Sequence, residues 1–188
     1  MEGDDLPTTA REDAGAPITP GYCQMMASYN RWQNRSLFTA VDALGEAARR
    51  AERGAFFGSI HATLAHVLWA DHMWMSRFAG WQAPPAGIAD SPRFVAGWAA
   101  LHAAREAADA AIISWAHALR AQDVQGVMRW HSGALDREVS RPAGLCLVHF
   151  FNHQTHHRGQ VHALVTSAGG VPDATDLFVM PATATDEV

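Results

Sequence analysis

The sequence contains no lysine: its 14 lysine-plus-arginine positions are all arginines. A chain without lysine cannot form a Schiff base through a lysine amine, and it lacks the lysine of a Walker-type phosphate loop. Residues 21–169 carry ten acidic residues against thirteen arginines, and they are flanked by acidic segments at residues 1–20 and 170–188. Because this small positive excess is dispersed rather than gathered into a stripe, we expect no nucleic-acid partner.

Cysteine is scarce, and long apolar runs are missing. Cys23 and Cys146 are the two cysteines and lie far apart, so we expect no disulfide framework and a reducing compartment. No apolar run approaches the ~18 residues of a membrane span, and the acidic N-terminus lacks the apolar segment of a signal peptide. The sequence therefore predicts a cytoplasmic protein with no membrane partner.

The 188 residues, 48% of them apolar, are enough for one domain with a sizeable core. Residues 1–19 are rich in Pro, Thr, Gly and acidic side chains and are predicted to form a disordered lead. Residues 20–170 are predicted to form the folded domain. Residues 171–188 are predicted to be an extended acidic tail.

Helical periodicity dominates the predicted domain. A first amphipathic helix is expected from about Tyr22, a second over residues 60–80 after Ser59, and a fourth from Ala143 to about Ala168. For the third helix, Ser91 followed by a proline resembles an N-cap with a first-turn proline. The period fails over residues 124–141, where a Ser-Gly pair predicts a short β-hairpin. We therefore predict an all-α fold, an antiparallel four-helix bundle with a small hairpin between its third and fourth helices.

Five of the eleven histidines fall within fourteen positions of the fourth helix, in the segment HFFNHQTHHRGQVH. At 100° per residue, four of these imidazoles share one helix face with apolar side chains, whereas Arg158 and His162 point away. We therefore expect the four to be buried. The four are His149, His153, His156 and His157.

Each buried imidazole needs a polar partner, and one divalent metal ion can be the partner of several imidazoles at once. Side chains four residues apart on a helix rise side by side, so His153 and His157 form the natural ligand pair. A facing helix can supply a third ligand. The second helix offers His61, His66 and His72, and periodicity alone does not choose among them. Hydrogen-bonded core histidines or surface histidines are the alternative interpretation.

The segments SIHATLAHVLWADHMWMSRF and FNHQTHHRGQ resemble the DinB-like, or YfiT-type, metal-binding four-helix-bundle proteins over roughly residues 20–180. The resemblance implies that His66, His153 and His157 hold a divalent metal, most often zinc or nickel. It also implies a low-molecular-weight thiol as co-substrate and makes a homodimer the expected assembly. The family name refers to damage-inducible expression and does not imply DNA binding.

Three further residues are candidates for roles around the metal or a substrate. Gln160, one turn beyond His157, is positioned to hydrogen-bond a ligand or to satisfy neighbouring groups. His149 is a candidate second-layer donor or a satisfied core histidine. Arg105 lies within an apolar stripe of the third helix, where an internal ion pair is more expected than capture of a substrate carboxylate. Cys146 is about 10 Å along the helix axis from His153 and is expected to be a core residue.

Three functional hypotheses follow for such a cluster of histidines, and the first involves a small-molecule substrate. The first is a metal-dependent thiol S-transferase, or a thiol-dependent isomerase or hydrolase, because three imidazoles leave an open coordination position. The second is a stress-induced metal sensor or storage protein without turnover. The third is a metal-free bundle with hydrogen-bonded core histidines.

Overall fold

A computed structural model describes residues 18–133 and 135–186 of the chain. Within these residues the fold is mostly helical, with one two-stranded antiparallel sheet. The elements are α1 (Pro20–Asp42), α2 (Glu46–Arg50), α3 (Ile60–Ala79), α4 (Trp98–Ala118), β1 (Val127–Ser132), β2 (Arg137–Pro142), α5 (Ala143–Ser167) and α6 (Thr183–Asp186), with a 3₁₀ helix at Ile88–Arg93 between α3 and α4.

Local side-chain chemistry explains where the first long helices begin and end. The Thr19 hydroxyl accepts a hydrogen bond from the Tyr22 amide at 3.2 Å, at the start of α1. Ser59 does the same for the amide of Ala62 at the start of α3, as the sequence predicts. Helix α3 ends where Gly80 adopts a φ of 68°, a conformation that glycine adopts without a steric penalty.

The predicted hairpin between the last two long helices is confirmed. Strands β1 and β2 pair antiparallel, with Trp130 opposite Val139. The turn follows Ser132, whose hydroxyl accepts a hydrogen bond from the amide of Leu135. Val139 is the buried residue of β2, so one face of the hairpin rests on the helices.

The predicted start of the third long helix at Ser91 is wrong. Helix α4 begins at Trp98, and Ser91 lies inside the 3₁₀ helix Ile88–Arg93. The Ser91 hydroxyl donates to the carbonyl of Ile88 at 2.7 Å and also contacts His66 of α3 at 2.7 Å. The Ser91 side chain therefore hydrogen-bonds to Ile88 and His66 and does not cap a helix.

Each of the four long helices packs against two of the others. Helix α1 packs against α4 and α5, and α3 packs against the same two helices. Buried apolar side chains fill the space between them in two clusters, one around Leu68 and Leu101 and the other around Ile112 and Phe150. These contacts place α5 between α1 and α3.

The position of α5 corrects the predicted orientation of its residues. Arg158, predicted to point away, is buried, whereas His149 and His156, predicted to be buried, are exposed. The physical reason is that α5 packs on both α1 and α3. Its buried stripe therefore passes through Gln154 and Arg158 and not along the histidine face alone.

The segment after α5 lies along α1. The Tyr29 hydroxyl donates to the carbonyl of Thr175 at 2.6 Å, and Gln33 donates to the carbonyl of Ala174 at 2.9 Å. The predicted N-terminal lead falls largely outside the described residues; of its last two, Ile18 is buried and Thr19 caps α1. Within the described part of the chain, no helix is both long enough and apolar enough to span a membrane.

Candidate metal centre

Helices α3 and α5 bring three histidines together. One ring nitrogen from each of His66, His153 and His157 lies within 4.8 Å of those of the other two. Nε2 of His66 and Nε2 of His153 are 3.3 Å apart. His66 and His157 are buried and His153 is half-buried. Of the three candidates on the second predicted helix, His66 is therefore the one that joins the α5 pair.

The ring of His66 is oriented by Ser91. Because the Ser91 hydroxyl donates its proton to the Ile88 carbonyl, its oxygen accepts from His66 Nδ1 at 2.7 Å. With the proton on Nδ1, the lone pair of His66 lies on Nε2, the atom that faces His153. Ser91 is fully buried, so water does not compete for this contact. The sequence prediction missed this residue because its only local signal, Ser before Pro, also fits a helix start.

Gln160 orients the ring of His157 in the same way as Ser91 orients that of His66. Its side-chain Oε1 accepts from His157 Nδ1 at 2.8 Å, which leaves the lone pair of His157 on Nε2. The amide nitrogen of Gln160 contacts Nε2 of His156 at 3.2 Å. Gln160 therefore links a clustered histidine to an exposed one.

Aromatic rings enclose the His66 side of the cluster. Phe57 stacks on the His66 ring with centroids 4.0 Å apart, and it lies 5.5 Å from the His157 ring. Trp69 stacks on His66 at 5.9 Å. These rings keep water from His66 while leaving His153 partly accessible, so a ligand would approach from the His153 side.

Burial keeps the three imidazoles neutral. Desolvation, followed by the neighbouring His157, lowers the pKa of His66 to about 4. Desolvation and four neighbouring histidines lower the pKa of His153 to about 3. The pKa of His157 is also lowered by burial, partly opposed by its hydrogen bond to Gln160. Neutral imidazole is the form that binds a metal ion.

A buried network of polar side chains joins α5 to α3 and α4 next to the histidine cluster. Arg105 forms the expected internal ion pair: its guanidinium contacts Asp71 at 2.5 Å and Asp109 at 2.9 Å. Gln154, the neighbour of His153 in sequence, donates to Asp71 at 2.6 Å. The sequence signal for this network is Arg105, which interrupts the apolar stripe of the third predicted helix. The network fixes α5 relative to α3 and α4.

The other candidate residues lie outside the cluster. The His149 ring is 5.9 Å from that of His153 and 5.0 Å from that of Trp74. His61 contacts the carbonyl of Val95 at 2.9 Å, and His72 packs between two aromatic rings. Both free cysteines, Cys23 and Cys146, are buried in the core.

The donor set fits a divalent metal ion. Two ligands of a tetrahedral ion at ~2.1 Å are about 3.4 Å apart, close to the 3.3 Å between the Nε2 atoms of His66 and His153. Within residues 18–133 and 135–186, no Cys, Asp or Glu completes the group. A metal-free alternative is also open to this geometry, in which one Nε2 of the pair donates a hydrogen bond to the other.

Fold and site together define a helical protein with a three-histidine cluster shared by two packed helices. The model of the DinB family matches residues 19–187, a range that includes every residue of the cluster. The chain belongs to the DinB family. The comparison with curated proteins found no match.

Proposed function

We propose that His66, His153 and His157 bind one divalent cation and leave it an open coordination position for a small-molecule reaction. The observation that supports this most is the paired orientation of two rings, in which Ser91 and Gln160 occupy the Nδ1 atoms of His66 and His157. Both lone pairs are thereby placed on Nε2. Histidines that bind a metal ion almost always donate their second ring N–H to such a partner, which fixes the tautomer and the orientation of the ring.

The proposed metal is zinc or nickel, both of which accept imidazole ligands. A divalent ion with three neutral imidazoles keeps a free position and lowers the pKa of a thiol or water that enters it. The protein contributes fixed ligand tautomers, aromatic walls that limit water, and an approach on the side of the half-buried His153. We propose that the domain is an antiparallel four-helix bundle acting in the cytoplasm as a homodimer.

The proposed reaction is transfer of a low-molecular-weight thiol to an electrophile, or a thiol-dependent isomerisation or hydrolysis. This proposal rests on the open position and on family membership. The alternative is a stress-induced sensor or storage protein that binds the same metal without turnover; its site would look the same.

Metal content tests the first half of the proposal. The protein would be purified without a nickel column and its bound metals quantified for the wild type, His153→Ala and His162→Ala. His162 lies on the same helix but outside the cluster, so it is the matched control. We expect about one divalent ion per chain in the wild type and in His162→Ala, and none in His153→Ala. Equal metal in all three would contradict the site.

Turnover tests the second half. The metal-loaded wild type and His157→Ala would be assayed with glutathione and related thiols against monochlorobimane and similar electrophiles. A transferase gives a rate above background in the wild type that is lost in His157→Ala. Metal binding with background rates in both proteins would favour the sensor or storage alternative.

A further inference from the structure

A cavity lies between the hairpin and the helices, away from the three histidines. It has a volume of about 390 Å³, within the range of sites for small organic ligands. None of the clustered histidines lines it. Eight of its eleven lining residues are apolar, and the lining comes from α3, α4 and the segment after it, β1 and α5; the larger apolar side chains are Phe78, Trp115, Leu119, Val127, Met128 and Leu147.

Arg77 is the one cation of this cavity wall. Its guanidinium carbon lies 4.6 Å from the ring centre of Trp74 and 5.2 Å from that of Trp130. The planes of the two indoles are inclined at 67° to each other, and both rings hold the guanidinium between α3 and β1 through cation–π contacts. The side chain is half-buried.

Arg77 has no acidic partner in the part of the chain that the structure describes. The other charged residue of the wall, Asp123, accepts hydrogen bonds from the backbone amide and the guanidinium of Arg120, so its charge is already compensated. A half-buried arginine with free N–H groups beside an apolar cavity is an anchor for an oxyanion. Its planar donors match a carboxylate in particular.

We propose that this cavity binds a small molecule with an apolar body and one carboxylate, to which the guanidinium of Arg77 donates hydrogen bonds. The apolar side chains of the wall contact the body of the ligand, and the two indoles keep the guanidinium in place before the ligand arrives. The site is independent of the metal proposal.

The probe is 4-phenylbutyrate, with the neutral 4-phenyl-1-butanol as its matched analogue. Binding would be measured by titration calorimetry on the full chain after treatment with a chelator, so that the carboxylate has no metal to bind. We expect the acid to bind and the alcohol to bind at least about tenfold more weakly, the effect of losing one charge-assisted hydrogen bond.

Three variants localise the binding. Arg77→Gln should weaken the acid about tenfold and leave the alcohol unchanged. Arg129→Gln removes the same charge from an exposed position of β1, and it should change neither. Val127→Trp, at an exposed position of the cavity wall, should weaken both ligands by filling the space. Circular dichroism would verify that each variant is folded.

Two results would overturn the proposal. One is the absence of measurable binding of 4-phenylbutyrate at millimolar concentration. The other is equal binding of the acid by folded Arg77→Gln and wild type. Neither result depends on whether the histidines bind a metal, since the chelator-treated protein is used throughout.

Discussion

The hydroxyl oxygen of Ser91 lies 2.7 Å from Nδ1 of His66, and the same hydroxyl donates its proton to the carbonyl of Ile88. Because the single hydroxyl proton of Ser91 is donated to Ile88, the Ser91 oxygen acts as the acceptor for His66 Nδ1. Ser91 therefore determines which nitrogen of His66 carries the lone pair. A serine 25 positions from the histidine in sequence thus acts as part of the proposed metal centre.

The first prediction concerns this contact. Ser91→Ala should weaken zinc binding about tenfold, because partners that orient a ligand histidine typically change affinity by ~10–100-fold. Competition with a chromophoric chelator would measure the change. Ser114→Ala, at an exposed position of α4 where the hydroxyl only returns to the Ala110 carbonyl, is the control and should bind as the wild type does. An unchanged affinity in Ser91→Ala would refute the orienting role.

Gln160 allows a sharper pair of substitutions. Gln160→Leu removes the acceptor of His157 Nδ1 and should weaken zinc about tenfold. Gln160→Glu keeps an oxygen acceptor there and should bind zinc at least as tightly as the wild type. The same chelator competition measures both. If the two variants lose equal affinity, the hydrogen bond to His157 does not orient the ring.

Much of the fold and part of the site are predictable from the sequence, for identifiable reasons. His153 and His157 are found together because spacing of four places two side chains on one face of any helix. His66 required the family resemblance, since its helix is buried on more than one side. The buried position of Arg158 was missed because α5 also packs on two helices. A single apolar direction does not describe a helix packed between two others.

Arg105 provides a stability prediction. Its side chain is the cation between buried Asp71 and Asp109, and burial raises the pKa of Asp109 despite this neighbour. Arg105→Met should lower the free energy of unfolding by about 3 to 5 kcal/mol, because two buried carboxylates lose their partner. Urea unfolding would measure it. Arg93→Met removes an exposed arginine paired with Asp90 and should change stability by less than about 0.5 kcal/mol.

The cysteines provide a pH prediction. Burial raises the pKa of Cys23 to about 11 from an ordinary value of 9.0, and burial also raises the pKa of Cys146. A folded-state pKa above the unfolded value stabilises the fold below pH ~9, and this contribution is lost as the pH rises toward 11.

The free energy of unfolding should therefore decrease from pH ~8 to pH ~10.5, and it should decrease less in Cys23→Ala. Ellman's reagent provides the companion measurement. It should label neither cysteine in the native protein at pH ~8 and both after denaturation. Rapid labelling of Cys23 in the native state would show that the thiol is not buried.

The coordination of bound zinc tests the central claim most directly. X-ray absorption spectroscopy on the zinc-loaded protein should show three imidazole nitrogens and one water oxygen, which added thiol replaces with sulfur at ~2.3 Å. His153→Ala should hold no stoichiometric zinc. A zinc ion closed by four protein side chains and indifferent to thiol, or one retained in His153→Ala, would contradict the account.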